Sequence, residues 1–114
     1  MKVIIAGSRS ISNPNNVRDA IIASGFIIDE VVCGGTHGPD TLGANWAKQN
    51  NINVKYFLPD WQKFGKSAGM IRNSEMAEYA DALIAVYDGT SRGTQDMINK
   101  AMIKGLKVYV HGVT

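Results

Sequence analysis

Cysteine is almost absent. Cys33 stands alone among 114 residues, beside only two histidines, so no disulfide staples the chain and no metal-ligand spacing exists. Placed at the end of an apolar run, Cys33 reads as a small buried filler rather than a nucleophile. Long apolar runs are missing as well. Stretches such as "VIIA" and "ALIAV" fall far short of the roughly 20 residues a bilayer span needs. No charged-then-apolar segment opens the chain, so a cytoplasmic location and no membrane partner are expected. Like charges never gather into a block: 12 Lys and Arg are interspersed with 10 Asp and Glu, for a net charge of +2. That balance does not announce a nucleic-acid binder, although a small anionic ligand needs only local charge. Repeats, low-complexity tracts and linkers are absent, and 45% hydrophobic residues suit a single core, so residues 1–114 are expected to form one domain.

What is present is an alternation of two patterns. "KVIIAG" is a β-branched run ending in glycine, which predicts a buried strand at about residues 2 to 7. Ser12 or Asn13 then offers an N-cap with Pro14 in the first turn, and Val17, Ala20, Ile21 and Ser24 recur at helical spacing before Gly25. The same grammar predicts a strand over Ile27 to Cys33, a helix carrying Leu42 and Trp46 and stopping near Asn50, and a third strand "NVKYF". A long connection, "LPDWQKFGKSAG", leads to a helix near Met70 to Ala80 and the strand "ALIAVY". A last helix puts Met97, Ile98, Ala101 and Met102 on one face ahead of Gly105 and a final strand "KVYV". Five strands alternating with four helices imply an α/β, Rossmann-like domain: a parallel sheet of order 3-2-1-4-5 with helices on both faces.

In that order strands 1 and 4 are neighbours, and ligands bind beyond their carboxyl ends. Three loops rich in small residues then converge: "GSRS" (Gly7, Ser8, Arg9, Ser10), "GGTHG" (Gly34, Gly35, Thr36, His37, Gly38) and "DGTSRGT" (Asp88 to Thr94). The last two feed helix N-termini, where unpaired N–H groups and the helix dipole favour an anion. Arg9, Arg72 and Lys66 are placed to add charge-assisted hydrogen bonds to a phosphate. The same glycines also close tight strand-to-helix turns. Asp88 is read either as a ribose contact or as the cap of the Gly89 turn, and Asp40 as a partner of the helix dipole or of a ligand hydroxyl. In the connection, Trp61 is expected to pack over the core or a subunit interface rather than to stack on a base.

The segments "GSRS", "GGTHGPDTLGANWA" and "DWQKFGKSAGMIRNSEMAEYADALIAVYDGTSRGTQDMI" together resemble the YspA/YpsA-like branch of the SLOG superfamily. This Rossmann-like group also holds the LOG phosphoribohydrolases, the DNA-processing protein DprA and nucleotide-sensor domains. The resemblance implies binding of a nucleotide or nucleotide-derived molecule in this crevice. It carries over to Gly7, Ser8 and Arg9, to Gly34, Gly35, Gly38 and Asp40, to Lys66, Gly69, Arg72 and Asn73, and to Asp88, Gly89, Ser91, Gly93 and Thr94. His37 stands where the "GGARGAD" form has arginine, trading a permanent charge for a titrating one, and Pro39 replaces a small residue. Against the "PGGxGTxxE" loop of the LOG enzymes, Met97 takes the place of the catalytic glutamate. Methionine exchanges no proton, and Asp96, one helical step of about 100° away, is turned off that face.

The expectation is therefore a module that binds a nucleotide or ADP-ribose-like molecule as sensor, carrier or sequestering protein, with no cofactor or metal and with self-association. Behind it stand a nucleotide-processing hydrolase using Asp88, Asp40 or Asp96, and a DprA-like binder of single-stranded DNA suggested by the pI of 8.8.

Overall fold

A computed structural model describes residues 1–113. In chain order it contains β1 (Lys2–Gly7), α1 (Pro14–Ser24), β2 (Glu30–Cys33), α2 (Pro39–Gln49), β3 (Asn53–Tyr56), α3 (Trp61–Phe64), a 3-10 turn (Gly65–Ser67), α4 (Ala68–Tyr79), β4 (Ala82–Tyr87), α5 (Arg92–Ile103) and β5 (Lys107–Gly112). The strands are all parallel in the order β3-β2-β1-β4-β5, the arrangement expected from the element string.

Strand alternation divides the core. Val3 and Ile5 of β1 pack with Val17, Ala20, Ile21 and Ala47 of α1 and α2, while Ile4 and Ala6 point to the other face, against Met76, Ala77, Met97 and Ile98 of α4 and α5. A central parallel strand must be apolar on both faces, which is why "VIIA" and "ALIAV" show no polar alternation. In α1, Asn13 is the N-cap, its side chain accepting from the Asn15 N–H at 3.0 Å, and Gly25 closes the helix in the left-handed region at φ 68°.

Four local expectations need correction. β2 begins at Glu30, not Ile27, which is 79% exposed. The Met1 amine donates to the Ile27 carbonyl and to Asp29, and the Asp29 N–H donates to the Met1 carbonyl, so these residues bracket the chain start before pairing begins at Lys2 and Glu30. The long connection is not all loop: Asp60 caps α3 through the Lys63 N–H at 3.1 Å, and α4 starts at Ala68 rather than Met70. Met102 is 64% exposed. It lies five residues, about 140° around the helix, from Met97, whereas the buried stripe is Thr94, Met97, Ile98 and Ala101. Trp61 is 53% exposed and does not cover the core, which leaves the subunit interface of its two expected placements.

Candidate functional site

The carboxyl ends of β1 and β4 are laced together by one residue. The Ser8 N–H donates to the Val86 carbonyl and the Ser8 hydroxyl accepts from the Asp88 N–H, both at 3.0 Å. Ser8 is only 1% exposed, so its polar groups serve the crest of the sheet rather than its surface. The loop after β2 crosses against this crest at Gly38. Its φ is +84°, and a Cβ there would lie 2.9 Å from the Ser8 carbonyl oxygen, so only glycine brings the two loops this close.

Between the loops lies a cavity of about 90 Å³. Ala6, Met76 and Met97 line it with apolar groups, and Gly7, Arg9, Thr36, Asp40, Arg72, Asn73, Ser91, Gly93 and Thr94 supply the rest of its wall. Arg72 is the best-defined cation. Its Nη1 donates to the Gly34 carbonyl at 2.6 Å and its Nε to Asn73 Oδ1 at 3.0 Å. Gly34 has no side chain because the guanidinium occupies the space a Cβ would take. Burial lowers the Arg72 pKa, opposed by the attraction of Asp40 and helped by repulsion from Arg9. Asp40, 4% exposed in the first turn of α2, accepts from the Gly34 N–H at 3.0 Å. Desolvation raises its pKa, while Arg72 and hydrogen bonds from Thr36 and Gly34 pull it back.

The loop 88–94 is organised by its own acid. Asp88 Oδ1 accepts from the N–H groups of Thr90 and Ser91 at 2.8 and 3.0 Å, and from the Thr90 hydroxyl. These bonds, the Thr90 N–H foremost, hold the Asp88 pKa down at about 2. Oδ2 accepts weakly from Ser10 at 3.3 Å. Ser91 is the N-cap of α5, its Oγ accepting from both the N–H and the hydroxyl of Thr94. Thr94 is therefore engaged in the cap, and the N–H groups left without an intrahelical partner are those of Arg92 and Gly93.

Asn73 links this loop to the arginine. Its Nδ2 donates to the Gly93 carbonyl at 3.3 Å and to Asp96 Oδ2 at 3.0 Å. Asp96 also accepts from Lys100 Nζ at 2.9 Å, and Lys100 donates to the Met70 carbonyl. Sequence reasoning did not mark Ala6 on the cavity wall or Lys100 behind it, and it raised Asp96 only as a possible residue of a hydrolase. Outside the cavity wall lie Ser8, Gly34, Gly35, His37, Gly38, Lys66, Asp88 and Gly89. His37, Lys66, Gly35 and Gly89 are exposed, while Gly34, Gly38, Ser8 and Asp88 shape the loops from behind. Cys33 is fully buried beside the site and its thiol is pushed up to about 11, chiefly by desolvation.

Comparison with known proteins gives three findings. The profile of the YspA, cpYpsA-related SLOG family matches residues 1–64. The Gene 61 protein of Mycobacterium phage D29 is 34% identical over 123 residues, covering 97% of this chain and 96% of that protein. In fold the chain is similar to the X-ray structure of DNA processing protein A (DprA) from Streptococcus pneumoniae, with a TM-score of 0.78 at 20% identity over 96% of this chain. The match spans 49% of the DprA chain, about half its length.

Proposed function

The chain belongs to the YspA, cpYpsA-related SLOG family, and from that premise we propose that its cleft binds a nucleotide or nucleotide-derived ligand by its phosphate end. Family and fold together support a binding or processing role directed at nucleotides or DNA. The observation that carries the finer reading is convergence: Arg9, Arg72 and Gly93, whose N–H has no intrahelical partner at the start of α5, border one cavity at the crossover between β1 and β4. A guanidinium locked by two hydrogen bonds is an anion donor whose orientation is set before the ligand arrives.

Size refines the assignment. At about 90 Å³ the cavity is well below the roughly 300 Å³ of a full small-molecule pocket, so it holds a phosphate-sized group while the rest of the ligand lies over the rim. An ADP-ribose-like molecule, sensed, carried or sequestered, fits this division. Binding without turnover is supported by Met97 and Met76 on the cavity wall, which offer no proton and no charge. Self-association belongs to the same reading, since Trp61, Phe64 and Met70 leave apolar surface open in α3 and the start of α4; light scattering on the purified protein checks it.

Thermal shift and calorimetry with pyrophosphate, AMP, ADP, NAD, ADP-ribose and a short DNA oligonucleotide test the proposal. A ligand at about 100 times its Kd adds roughly 2.7 kcal/mol. Stabilisation by the phosphate-bearing small molecules that Arg72→Met abolishes is the expected result, and binding of the oligonucleotide alone would overturn it. A hydrolytic reading has one observation behind it: Asp40 is a buried carboxyl on the cavity wall with a raised pKa. Product formation lost in Asp40→Asn would establish that reading instead.

A further inference from the structure

We propose that Asp96, backed by Lys100, is a positioning residue for the cleft: it fixes the orientation of the Asn73 amide and, through that amide, the guanidinium of Arg72. As a statement about binding, the inference rests on the phosphate reading above.

A carboxamide has one acceptor side and one donor side, and turning it over exchanges them. Asn73 is 5% exposed and makes a bond on each side. Its Oδ1 accepts from Arg72 Nε at 3.0 Å, while its Nδ2 donates to Asp96 Oδ2 at 3.0 Å and to the Gly93 carbonyl at 3.3 Å. In the reversed amide, an NH2 would meet the Arg72 N–H, and an oxygen would meet a carboxylate and a carbonyl. On the donor side Asp96 makes the shorter bond, 3.0 against 3.3 Å, so it contributes more than the Gly93 carbonyl to choosing the orientation. Lys100 donates to the same carboxylate oxygen at 2.9 Å and to the Met70 carbonyl at 2.6 Å, which ties Asp96 to α4 and supplies a counter-charge. Hydrogen bonds thus run from Lys100 and Asp96 on α5, through Asn73 and Arg72 on α4, to Gly34 beyond β2.

The arginine is the end that matters. Of the five N–H groups of a guanidinium, the one on Nε and one on Nη1 are committed to Asn73 and Gly34, and the remainder are left for an anion. If Asn73 turned, Nε would lose its acceptor and the guanidinium would rotate about its remaining bond to Gly34. A phosphate would then meet a mobile cation, not a fixed fork.

The experiment compares Asp96→Leu, Asp96→Asn and Lys100→Met with the natural protein. Its readouts are the Arg72 Nε–H resonance and calorimetric titration with inorganic pyrophosphate. Asp96→Leu is expected to shift and broaden the resonance and to weaken pyrophosphate about tenfold or more. Asp96→Asn keeps an oxygen for Asn73 to donate to, and should hold the resonance in place with affinity within about threefold. Lys100→Met should fall between them. If Asp96→Leu does not fold, Asp96→Ser, too short to reach Asn73, replaces it. An unmoved resonance in the truncated variant would reduce Asp96 to a packing residue and overturn the inference. Equal losses in Asp96→Asn and Asp96→Leu would overturn it too, because a group that acts by its proton or charge behaves that way. Should the natural protein fail to bind pyrophosphate, the phosphate reading falls, while the resonance still decides the positioning role.

Discussion

Removing the guanidinium at the centre of the cleft tests the site's architecture independently of any ligand. Arg72→Met deletes the bonds to the Gly34 carbonyl at 2.6 Å and to Asn73 Oδ1 at 3.0 Å. Hydrogen bonds from a charged donor contribute about 1.5–3 kcal/mol each, a gross loss of about 3–6 kcal/mol. Part returns, because burial already lowers the arginine's pKa, the sign of a cation held partly out of water, and a methionine there carries no such cost. The net expectation is a destabilisation of about 2–4 kcal/mol. In a domain of this length about 1 kcal/mol moves Tm by about 4 °C, so the melt should fall by about 8–16 °C.

Arg72→Lys sharpens the result. An ammonium retains the charge but cannot span both acceptors, so it should recover less than about half of the loss. Urea unfolding at pH 7, followed by circular dichroism beside thermal melts, measures both variants. If Arg72→Met melts within about 2 °C of the natural protein, the guanidinium is not holding Gly34 and Asn73 in solution. The anion fork would then not be preset.

Three further outcomes follow from local geometry. The Asp88 carboxyl is held at about 2, below its unfolded value of about 3.9, so its contribution to stability is fully present above about pH 4 and is lost as pH falls through about 2. A carboxyl-carbon NMR titration should show that midpoint, and Asp88→Asn should lack that part of the acid loss; a midpoint near 4 would mean the loop bonds are not formed. Gly43→Ala would place a Cβ 2.7 Å from Cγ2 of Ile5 and 2.9 Å from its Cβ, where α2 meets β1. Overpacking costs about 1–3 kcal/mol against a helix-propensity gain of about 1 kcal/mol, so urea unfolding should report a net loss. Cys33, fully buried with its thiol pushed up to about 11, should resist a disulfide reagent at pH 8 when folded and react at once in urea; equal rates in both would contradict its burial.

The sheet was legible because β1 and β4 are buried on both faces and so read as unbroken apolar runs between turn residues. The start of β2 was not, because Ile27 is apolar yet spends its carbonyl on the Met1 amine, a partner 26 residues away that no local pattern announces. The cleft shows the same division. Strand order alone predicted that the three loops meet, and the Asp88 turn could be read because the N–H groups that donate to it lie two and three residues on. Which groups remain free for a ligand could not. Ser8 is committed across 80 residues to Asp88, and the Asn73–Asp96 bond joins two helices across 23 residues. The sequence places Lys66 and His37 in or beside the loops, but their exposure away from the cavity wall is a tertiary fact.

Whether the cleft can do chemistry turns on its carboxylates, and each is already occupied differently. Asp88 is ionised down to a pKa of about 2 and organises its own loop, so at neutral pH it has no proton to donate and is a poor acceptor for one. Asp96 is paired with Lys100 and Asn73 and is not part of the cavity wall. Among the described residues Asp40 is the one carboxylate on the cavity wall, and its burial favours the protonated form while Arg72 and the Gly34 N–H favour the ionised one. Cleaving an N-glycosidic bond requires a group that stabilises positive charge growing on a sugar. With Met97 in the glutamate's place, the floor offers only weakly polar thioethers, and the fixed charge nearest to Asp40 in its electrostatic environment is a guanidinium, which opposes such charge. On the phosphate reading proposed above, the same cation would attract the ligand's anion while opposing the positive charge of such a transition state, which suits the cleft to holding its ligand.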